Sequence, residues 1–555
     1  MPEDFDPRHQ IPIGPWCFVD REDASPGWED LEFHDAVSSG DDVRRHALSA
    51  RAIAESMVAD VATRLNERHQ RNHSLEYWRT LLVPWLLALS QVAWKRYLTV
   101  TDFVRRHGDE SFEVSVCGDI SDWNFIDTLD FAERGLIGHV FNYWLTSRIV
   151  SKLAPDHWVL VPQPVEVPKP APRRGDRATL RGTMRRALGR FRFSGVSGAG
   201  ALISLIFSAW LALRWDNRVP GASESSETLS SDRQVPPEFM ALFSELVEAT
   251  MPQSLGSRFT EFENKARKHV YRSGKVFVRG CVLWYDEDEK FAAAHALEAG
   301  EKLITVQHGG NYGIANSFPD AAEIEYKHAA FISWGWRRQH DHPGNVIPLP
   351  SPHLSRYRDQ YSRGSDDLIL VGTQQRIYSY RLDSSPQPTQ WIDYRRQKSL
   401  FIEALEKGPR ENLVYRPGHD EPSTLVDAAR LRQHYPGLRF LEGALHPKIL
   451  RCRLLVLDHP GTALNIALAA NIPTVCYWRD DAWPVCREAE PVLARLRGAG
   501  LLFEGGREAA VKVNEVWHDP ITWWRRKSTQ DARKAFCDSY AKTEPFWWLS
   551  WLRTL

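Results

Sequence analysis

The sequence predicts an α/β protein in which two Rossmann-like domains face one another across a cleft, behind a helical N-terminal region. Short apolar runs of strand length alternate with helical patterns from residue 275 to residue 477, which indicates βαβ units and parallel sheets. A break rich in Pro at 341–352 divides the alternation into two blocks. Residues 44–97 carry helical patterns instead.

Length and composition describe a folded, multidomain chain. Its 555 residues correspond to about three or four ordinary domains or two large ones. A hydrophobic fraction of 43% and a charged fraction of 25% exclude disorder of the whole chain. Lys and Arg number 70 against 71 Asp and Glu. No overall charge therefore attracts nucleic acid, and we expect no such partner.

The cysteines favour a reducing compartment. Seven Cys without a CxxC pair argue against a disulfide scaffold and against a zinc ribbon. The stretch MPEDFDPRHQ lacks the pattern of a secretory signal, and no uncharged apolar run reaches the ~18 residues of a spanning helix. We therefore expect a cytoplasmic protein.

Two helices and two strands are predicted early in the chain. Apolar residues recur at helical spacing over 44–69, and a more apolar pattern covers 75–97. Pro84 lies inside the second pattern and is expected to kink the helix or to split it in two. Runs at 112–117 and 158–161 have the composition of strands.

The segment from 162 to 236 differs from the rest of the chain. It opens Pro-rich, carries eight Arg between 173 and 192 opposed only by Asp176, and closes Ser-rich around the apolar stretch Ala199–Leu213. One interpretation is peripheral contact of Arg173–Arg192 with the inner face of the cytoplasmic membrane. The other is a loop that leads into a buried strand and helix of the domain.

The alternating part of the chain supplies the strands of the two domains. Strands are predicted at 275–283, 302–306, 329–334, 368–371, 412–416, 438–441, 453–457 and 472–477. Helical patterns fill 291–300, 393–407, 423–434 and 462–470. We expect a first domain at 1–345, a second at 346–530, and an aromatic C-terminal helix at 531–555 that docks back.

Polar residues and glycines follow five of the predicted strands. In open α/β sheets, ligands bind beyond the carboxyl ends of the strands. The residues at these ends are Gln307, His308, Gly309, Gly310, Thr373, Arg416, Glu442, Asp458, His459, Gly461 and Thr462. We expect them to line a ligand site; the alternative is that they only form turns.

The segment DHPGT at 458–462 has the pattern of an anion site. Gly461 allows a close approach of the backbone, and Thr462 is a natural N-cap for the helix that follows. Unpaired N–H groups at a helix N-terminus bind phosphate, and Arg416 adds a candidate bidentate contact. The alternatives are that Thr462 only caps its helix and that Arg416 forms a surface salt bridge.

The segment QHGGNYG at 307–313 places an imidazole at the cleft edge. His308 is a candidate to protonate a leaving group, to bind its phosphate or to orient an acceptor; the alternative is a structural histidine. The histidines at strand ends match no metal motif, so we expect no metal site. Candidate bases for the acceptor are Asp119, Asp122 and Asp286, and His73 is another whose alternative is a helix-cap or core role.

Three blocks of the sequence resemble a transferase family of bacterial surface-carbohydrate gene clusters. The stretch HSLEYWRTLLVPWL at 73–86 is similar to the N-terminal signature of that family. The QHGGNYG segment resembles its QHGG-x-YG block, and the DHPGT segment with 468–473 resembles its C-terminal donor-site block. The resemblance implies a GT-B-like glycosyltransferase of O-antigen or similar surface-polysaccharide assembly.

The same resemblance implies the substrates. The donor would be a nucleotide sugar, with a CMP-activated, sialic-acid-like (nonulosonic) sugar as the implied choice, and the acceptor a glycan or a lipid-linked glycan. Residues 1–345 would form the acceptor side and 346–530 the nucleotide-donor domain. Enzymes of this architecture generally need no bound metal, so no cofactor is expected beside the donor.

The site hypothesis combines the resemblance with the strand-end residues. Phosphate is assigned to Arg416, His459, Gly461 and Thr462, the reacting centre to His308, and a ribose or sugar hydroxyl to Glu442. Two alternatives stay open. One is a phosphotransferase that uses CDP-polyol donors; the other is a non-catalytic carbohydrate-binding or assembly protein, which the 22 Trp, 24 Phe and 16 Tyr would permit.

Overall fold

The computed structural model describes most of the chain. The described residues exclude 1–5, 7–8, 19–26, 121, 171–191, 214–218, 220–234, 268–274, 281–282, 339–343, 374–375, 377 and 419–426. Of the basic stretch that was considered for membrane contact, only Arg192 lies among the described residues.

The N-terminal region is helical, as predicted. Helix α1 (Gly40–His69) begins at a capping box, in which Ser39 accepts the Asp42 N–H at 3.1 Å and the Asp42 side chain accepts the Ser39 N–H. Helix α2 (Leu75–His107) begins at Ser74, which accepts the Tyr77 N–H. The two helices pack along one another.

Pro84 does not interrupt helix α2. The helix continues through it, so the split that was one of two predicted outcomes is wrong. Trp78, Trp85 and Leu86 around it are fully buried. Each such burial stabilises the helix by ~1.5–3 kcal/mol, and the sum offsets the ~3 kcal/mol that an interior proline costs.

Further strands and helices follow these two helices in the chain. Strands β1 (Glu113–Cys117) and β2 (Val159–Gln163) form a parallel pair where strands were predicted. The helices are α3 (His139–Leu153), α4 (Ala201–Leu213), α5 (Pro237–Thr250) and α6 (Phe259–Ala266).

The first sheet has five parallel strands in sequential order. The strands are β3 (Phe193–Ser194), β4 (Val276–Gly280), β5 (Lys302–Val306), β6 (Ala330–Ser333) and β7 (Val346–Pro348). Helices α7 (Glu287–Glu298) and α8 (Pro319–Ile324) connect them. Strand β7 lies inside the stretch predicted to be a linker and pairs with β6, so the first sheet extends past residue 345. We call this sheet and the N-terminal helices the first lobe.

The second sheet has six parallel strands. In spatial order they are β10 (Arg439–Phe440), β9 (Leu413–Arg416), β8 (Leu368–Val371), β11 (Leu454–Leu457), β12 (Thr474–Tyr477) and β13 (Leu502–Phe503). The order runs outward in both directions from the β8–β11 pair. The topological switch point, where ligands bind in open α/β sheets, therefore lies between β8 and β11.

Helices cover the second sheet and form the second lobe with it. They are α9 (Pro352–Ser355), α10 (Gln390–Ala404), α11 (Lys407–Glu411), α12 (Asp427–His434), α13 (Leu445–Ile449), α14 (Thr462–Ala469), α15 (Glu490–Gly498), α16 (Gly506–Val516), α17 (Pro520–Trp524) and α18 (Lys527–Tyr540). Its core is continuous with Tyr312 and Phe331 of the first lobe.

Two crossings of the chain between the lobes lie side by side. The chain enters the second lobe after β7 and returns after α18, and the two crossings are joined because the Ser351 N–H donates to the Lys542 carbonyl at 2.8 Å. The last helix, α19 (Trp547–Thr554), packs on the first lobe through Trp547, whose ring stacks with Phe207 at 6.2 Å between centroids. The predicted fold class, two parallel α/β sheets facing one another behind a helical region, is confirmed.

Helix α4 is only partly buried, whereas the second interpretation of this segment expected a buried helix. Its Phe207 and Leu211 are buried, but the opposite face is apolar and exposed. The large side chains on that face are Leu202, Leu205, Ile206, Trp210 and Leu213. Across the described ranges, no helix combines the length and the apolar character that a bilayer crossing requires.

Candidate functional site

The loops that follow β5 and β11 meet backbone to backbone. The Gly310 N–H donates to Thr462 Oγ1 at 2.9 Å. A Cβ atom at Gly310 would lie 2.6 Å from both the Gly461 carbonyl carbon and the Thr462 nitrogen. Only glycine fits such a contact. The two loops that carried the strongest sequence motifs therefore lie against one another between the lobes and form the candidate site.

The loop after β11 lies at the switch point of the second sheet. Asp458 is fully buried, and its Oδ1 accepts the backbone N–H of Thr373, two residues after the end of β8, at 2.8 Å. The Lys398 ammonium, on α10, lies 3.5 Å from Asp458 Oδ2 and donates to the Thr373 carbonyl at 2.6 Å. Lys398 also pairs with buried Asp427. These contacts of Asp458 and Thr373 therefore hold the loop after β11 in place.

His459 lies in the same loop after β11. Its Nδ1 is 2.9 Å from Asp458 Oδ1, so an Nδ1–H donated to the carboxylate leaves Nε2 available to a ligand. The side chain is 17% exposed. The ring lies against Gly461, where a Cβ atom would be 2.8 Å from Nε2. An anion beside Gly461 would therefore meet both the imidazole and the N-terminus of α14.

Thr462 has a different role from the one predicted. The N-cap of α14 is Gly461, and Thr462 is the first helical residue. Its hydroxyl accepts the N–H of Gly310 in the other lobe, so it joins the lobes instead of capping its own helix. This contact occupies one side of the N-terminus of α14. An anion bound there would therefore have to lie on the other side, next to His459.

His308 lies two residues before Gly310, at the end of β5. Its side chain is 29% exposed, and the Tyr312 hydroxyl is 3.0 Å from Nδ1 and 3.2 Å from Nε2. Burial, followed by the charge of Arg381, lowers the pKa of His308 to about 4. A neutral imidazole suits proton acceptance or hydrogen bonding better than donation to a leaving group.

Two residues behind His308 were not found from the sequence. Glu325 Oε1 is 3.5 Å from His308 Nδ1 and accepts the Trp284 Nε1–H at 2.7 Å. Burial raises the pKa of Glu325 to about 8. The guanidinium of Arg381 lies over the Trp284 ring at 4.8 Å. No motif marks Glu325 or Trp284; they reach His308 only through the fold.

Gln307 shapes the turn from inside. Its side-chain carbonyl accepts the Trp334 N–H at 2.8 Å and the Trp336 Nε1–H at 2.9 Å, and its amide donates to the Gly309 carbonyl at 2.9 Å. The residue is 3% exposed. Gln307 was predicted to bind the donor; its observed contacts hold the QHGG turn in place.

The other strand-end residues of the second lobe lie further out. Arg416 ends β9 and donates to the Leu441 carbonyl at 3.1 Å, a contact to the neighbouring chain segment. Glu442 is exposed beyond the edge strand β10. Both remain predictions as ligand contacts.

The candidate bases of the first lobe lie on different elements of the structure. Asp119 and Asp122 are exposed in the loop after β1. Asp286 is the N-cap of α7, where its Oδ1 accepts the Glu289 N–H at 3.2 Å. His73 is held between Glu263 and Glu298 at 2.9 and 2.8 Å, which is the structural alternative. Over the described part of the chain, no three His, Cys, Asp or Glu side chains converge as metal ligands do.

Comparison with known proteins places the chain among transferases. The model of the LIC12162 family transferases matches residues 1–555. None of the curated proteins matches the chain. Among solved structures, a point mutant of the O-GlcNAc transferase of Thermobaculum terrenum is similar over 93% of this chain and 86% of that chain, with 12% identity and a TM-score of 0.26. The fold assignment above comes from the strand order and the facing loops, not from this alignment.

Proposed function

Because the chain belongs to the LIC12162 family of transferases, we propose that it is a glycosyltransferase, which moves a sugar from a nucleotide-activated donor to a glycan acceptor. The observation that carries this proposal is the contact between the Gly310 and Gly461–Thr462 loops. In this contact the loop that carries His308 and the loop that carries His459 meet at the carboxyl ends of both sheets, and in the proposal the two imidazoles serve one site.

The two imidazoles have different partners and take different roles in this proposal. His459 is backed by Asp458, which itself faces the Lys398 ammonium. With the N-terminus of α14, His459 would stabilise the negative charge that develops on the departing phosphate. These groups would replace a bound metal in that task. His308, neutral and partly exposed, would contact the acceptor.

We propose that the donor is a CMP-activated nonulosonic sugar used in bacterial surface-polysaccharide assembly. The support is the similarity of the three sequence blocks to the transferases of surface-carbohydrate clusters. The acceptor would be a glycan or a lipid-linked glycan, and the chain would work in the cytoplasm at the inner face of the membrane.

Nucleotide binding tests the donor proposal directly. We expect CMP to stabilise the protein by about 2.7 kcal/mol at a hundredfold excess over its Kd, measured as a rise in Tm, whereas cytidine, which lacks the phosphate, should have no effect. His459→Ala should abolish the response to CMP. Stabilisation by UDP or GDP but not by CMP would overturn the proposed donor.

Donor turnover separates the proposal from its phosphotransferase alternative. Both a CMP-sugar transferase and a CDP-polyol phosphotransferase release CMP, so binding of CMP does not distinguish them. Release of CMP from CMP-N-acetylneuraminate, with none from CDP-glycerol, is the result that supports glycosyl transfer. The opposite pattern would establish the alternative.

We also propose that the exposed face of α4 rests on an anionic membrane surface. Leu202 and Leu213 at its two ends are 71% and 75% exposed, and Trp210 between them is 46% exposed. The eight Arg between 173 and 192 precede this helix in the sequence. Apolar side chains inserted at the interface and basic residues above it bind anionic lipids together.

Liposome flotation tests this contact. The protein should float with phosphatidylglycerol vesicles at low salt and less so as salt screens the charges. Leu205→Ser with Trp210→Ser should lower the bound fraction by about tenfold or more, because each side chain loses ~1.5–3 kcal/mol of burial. The control is Val511→Ser, an exposed apolar residue on α16. Equal flotation of the α4 variant and the control would contradict the proposal.

A further inference from the structure

A buried carboxyl group lies directly behind His308. Glu325 Oε1 is 3.5 Å from His308 Nδ1, and the Glu325 side chain is 3% exposed. The same oxygen accepts the Trp284 Nε1–H, and the Tyr312 hydroxyl lies 3.0 Å from Nδ1 and 3.2 Å from Nε2 of the imidazole. A buried carboxyl group is costly to keep, and one placed against an imidazole at a cleft is a functional candidate.

The two lobes thus present the same pairing in different surroundings. At His459, the partner carboxylate of Asp458 faces the Lys398 ammonium at 3.5 Å and accepts a backbone N–H. At His308, the partner Glu325 is enclosed by the Trp284 ring and the buried Tyr326. Two carboxyl groups in such different environments indicate two different roles for their imidazoles.

We propose that Glu325 is the positioning residue of His308 and that, when ionised, it makes His308 the base that receives the proton of the acceptor hydroxyl. The inference deepens the proposed function and rests on it. The Nδ1–H of His308 would donate to the Glu325 carboxylate, which fixes the tautomer and leaves Nε2 to face the acceptor.

The step balances without any further reactant. The acceptor oxygen forms a bond to the anomeric carbon, and the bond from that carbon to the donor phosphate breaks. Its electron pair leaves on the phosphate oxygen, whose charge His459 and the N-terminus of α14 stabilise. The hydroxyl proton moves to Nε2 of His308, and the resulting imidazolium faces the Glu325 carboxylate.

The pairing of His308 with Glu325 predicts that the transfer rate rises with pH. The titratable and charged groups that face Glu325 are His308, Tyr312, Asp320, Tyr326 and Arg381. Burial outweighs them and raises the pKa of Glu325 to about 8. Below that pH the carboxyl is neutral and His308 is a weak base. Above it, the carboxylate strengthens the base, so the transfer rate should rise with pH through about 8.

The variant Glu325→Gln keeps the shape and an acceptor for Trp284 but removes the titration. At a pH above the pKa of Glu325, we expect kcat for CMP-N-acetylneuraminate to fall by about 10²-fold, with KM for the donor within about twofold of the parent value. The rising limb of the pH profile should disappear. The matched control is Glu323→Gln, which changes a buried carboxylate two residues away that pairs with Arg51 at 2.6 Å. The rate of this control variant should still rise with pH, even if its Tm is lower.

Histidine NMR supplies a readout that does not depend on turnover. With ¹³Cε1-labelled histidine and His308→Gln for assignment, the His308 resonance of the parent protein should show an inflection near pH 8 that Glu325→Gln lacks. If Glu325→Gln does not fold, the parent titration decides alone, and a resonance without that inflection would falsify the inference.

The outcomes separate this inference from the proposed function. Loss of turnover in His308→Ala together with an unchanged pH profile in Glu325→Gln would overturn the role of Glu325 only. Full turnover in His308→Ala would overturn the proposed site itself.

Discussion

Replacing His308 with Ala is expected to slow donor turnover by about 10²- to 10⁴-fold, the loss that follows removal of a general base. The imidazole lies at the end of β5, partly exposed, with Tyr312 and Glu325 behind it. Its removal takes away the proposed proton acceptor and leaves intact the lobe contact at Gly310, two residues later. CMP release from CMP-N-acetylneuraminate measures the effect, and the affinity for CMP should change little because the proposed phosphate contact is made by His459.

The control for this substitution is another histidine remote from the site. His434 is exposed at the end of α12, and His434→Ala should turn over the donor at the parent rate. If His308→Ala does so as well, the site assignment is wrong. The non-catalytic carbohydrate-binding alternative would then account for the chain better, particularly if Trp substitutions abolished its function.

Gly310→Ala is expected to lower kcat/KM by about 10²-fold and to destabilise the protein by about 1–3 kcal/mol. The new methyl group would lie 2.6 Å from the Gly461 carbonyl carbon and the Thr462 nitrogen, and 2.9 Å from Asn465 Oδ1. Backbone atoms of a packed helix cannot turn aside as a side chain does. The loops must separate, which also stretches the hydrogen bond from Gly310 to Thr462.

Gly309 provides the steric control for this prediction. A Cβ atom there meets nothing nearer than Thr462 Oγ1 at 3.6 Å, an ordinary contact. Gly309→Ala should therefore keep the parent Tm, whereas Gly310→Ala lowers it. Equal Tm values for the two variants would show that the loops do not touch in solution as they do here.

The position of the site could be predicted from the sequence because it follows from topology. The strands at 302–306 and 368–371 begin and end where they were predicted, and residues after parallel strands must lie at one edge of the sheet. The DHPGT segment consequently falls at the switch point, and the QHGG turn faces it. The glycines in the two segments indicate that the two loops approach closely, because no other residue type fits there.

The groups that tune the site could not be predicted. Glu325, Trp284 and Lys398 lie in segments with no motif, and each reaches its partner through packing: Lys398 is on α10, yet it contacts the carboxylate that follows β11. The prediction that Thr462 is an N-cap was wrong because it rested on local propensity alone. A threonine before a helix is usually its cap, but here the hydroxyl satisfies a donor from the opposite lobe, which no local rule can foresee.

The backbone hydrogen bond between the crossings at Ser351 and Lys542 is one of several links between the lobes. In the segment that follows Gly310, the Ile314 carbonyl accepts the Cys486 N–H at 2.7 Å, and the Asn316 N–H donates to the Pro484 carbonyl at 3.0 Å. A movement that parts Gly310 from Thr462 would therefore have to strain or break these backbone bonds as well. While they persist, the two loops are kept in one register.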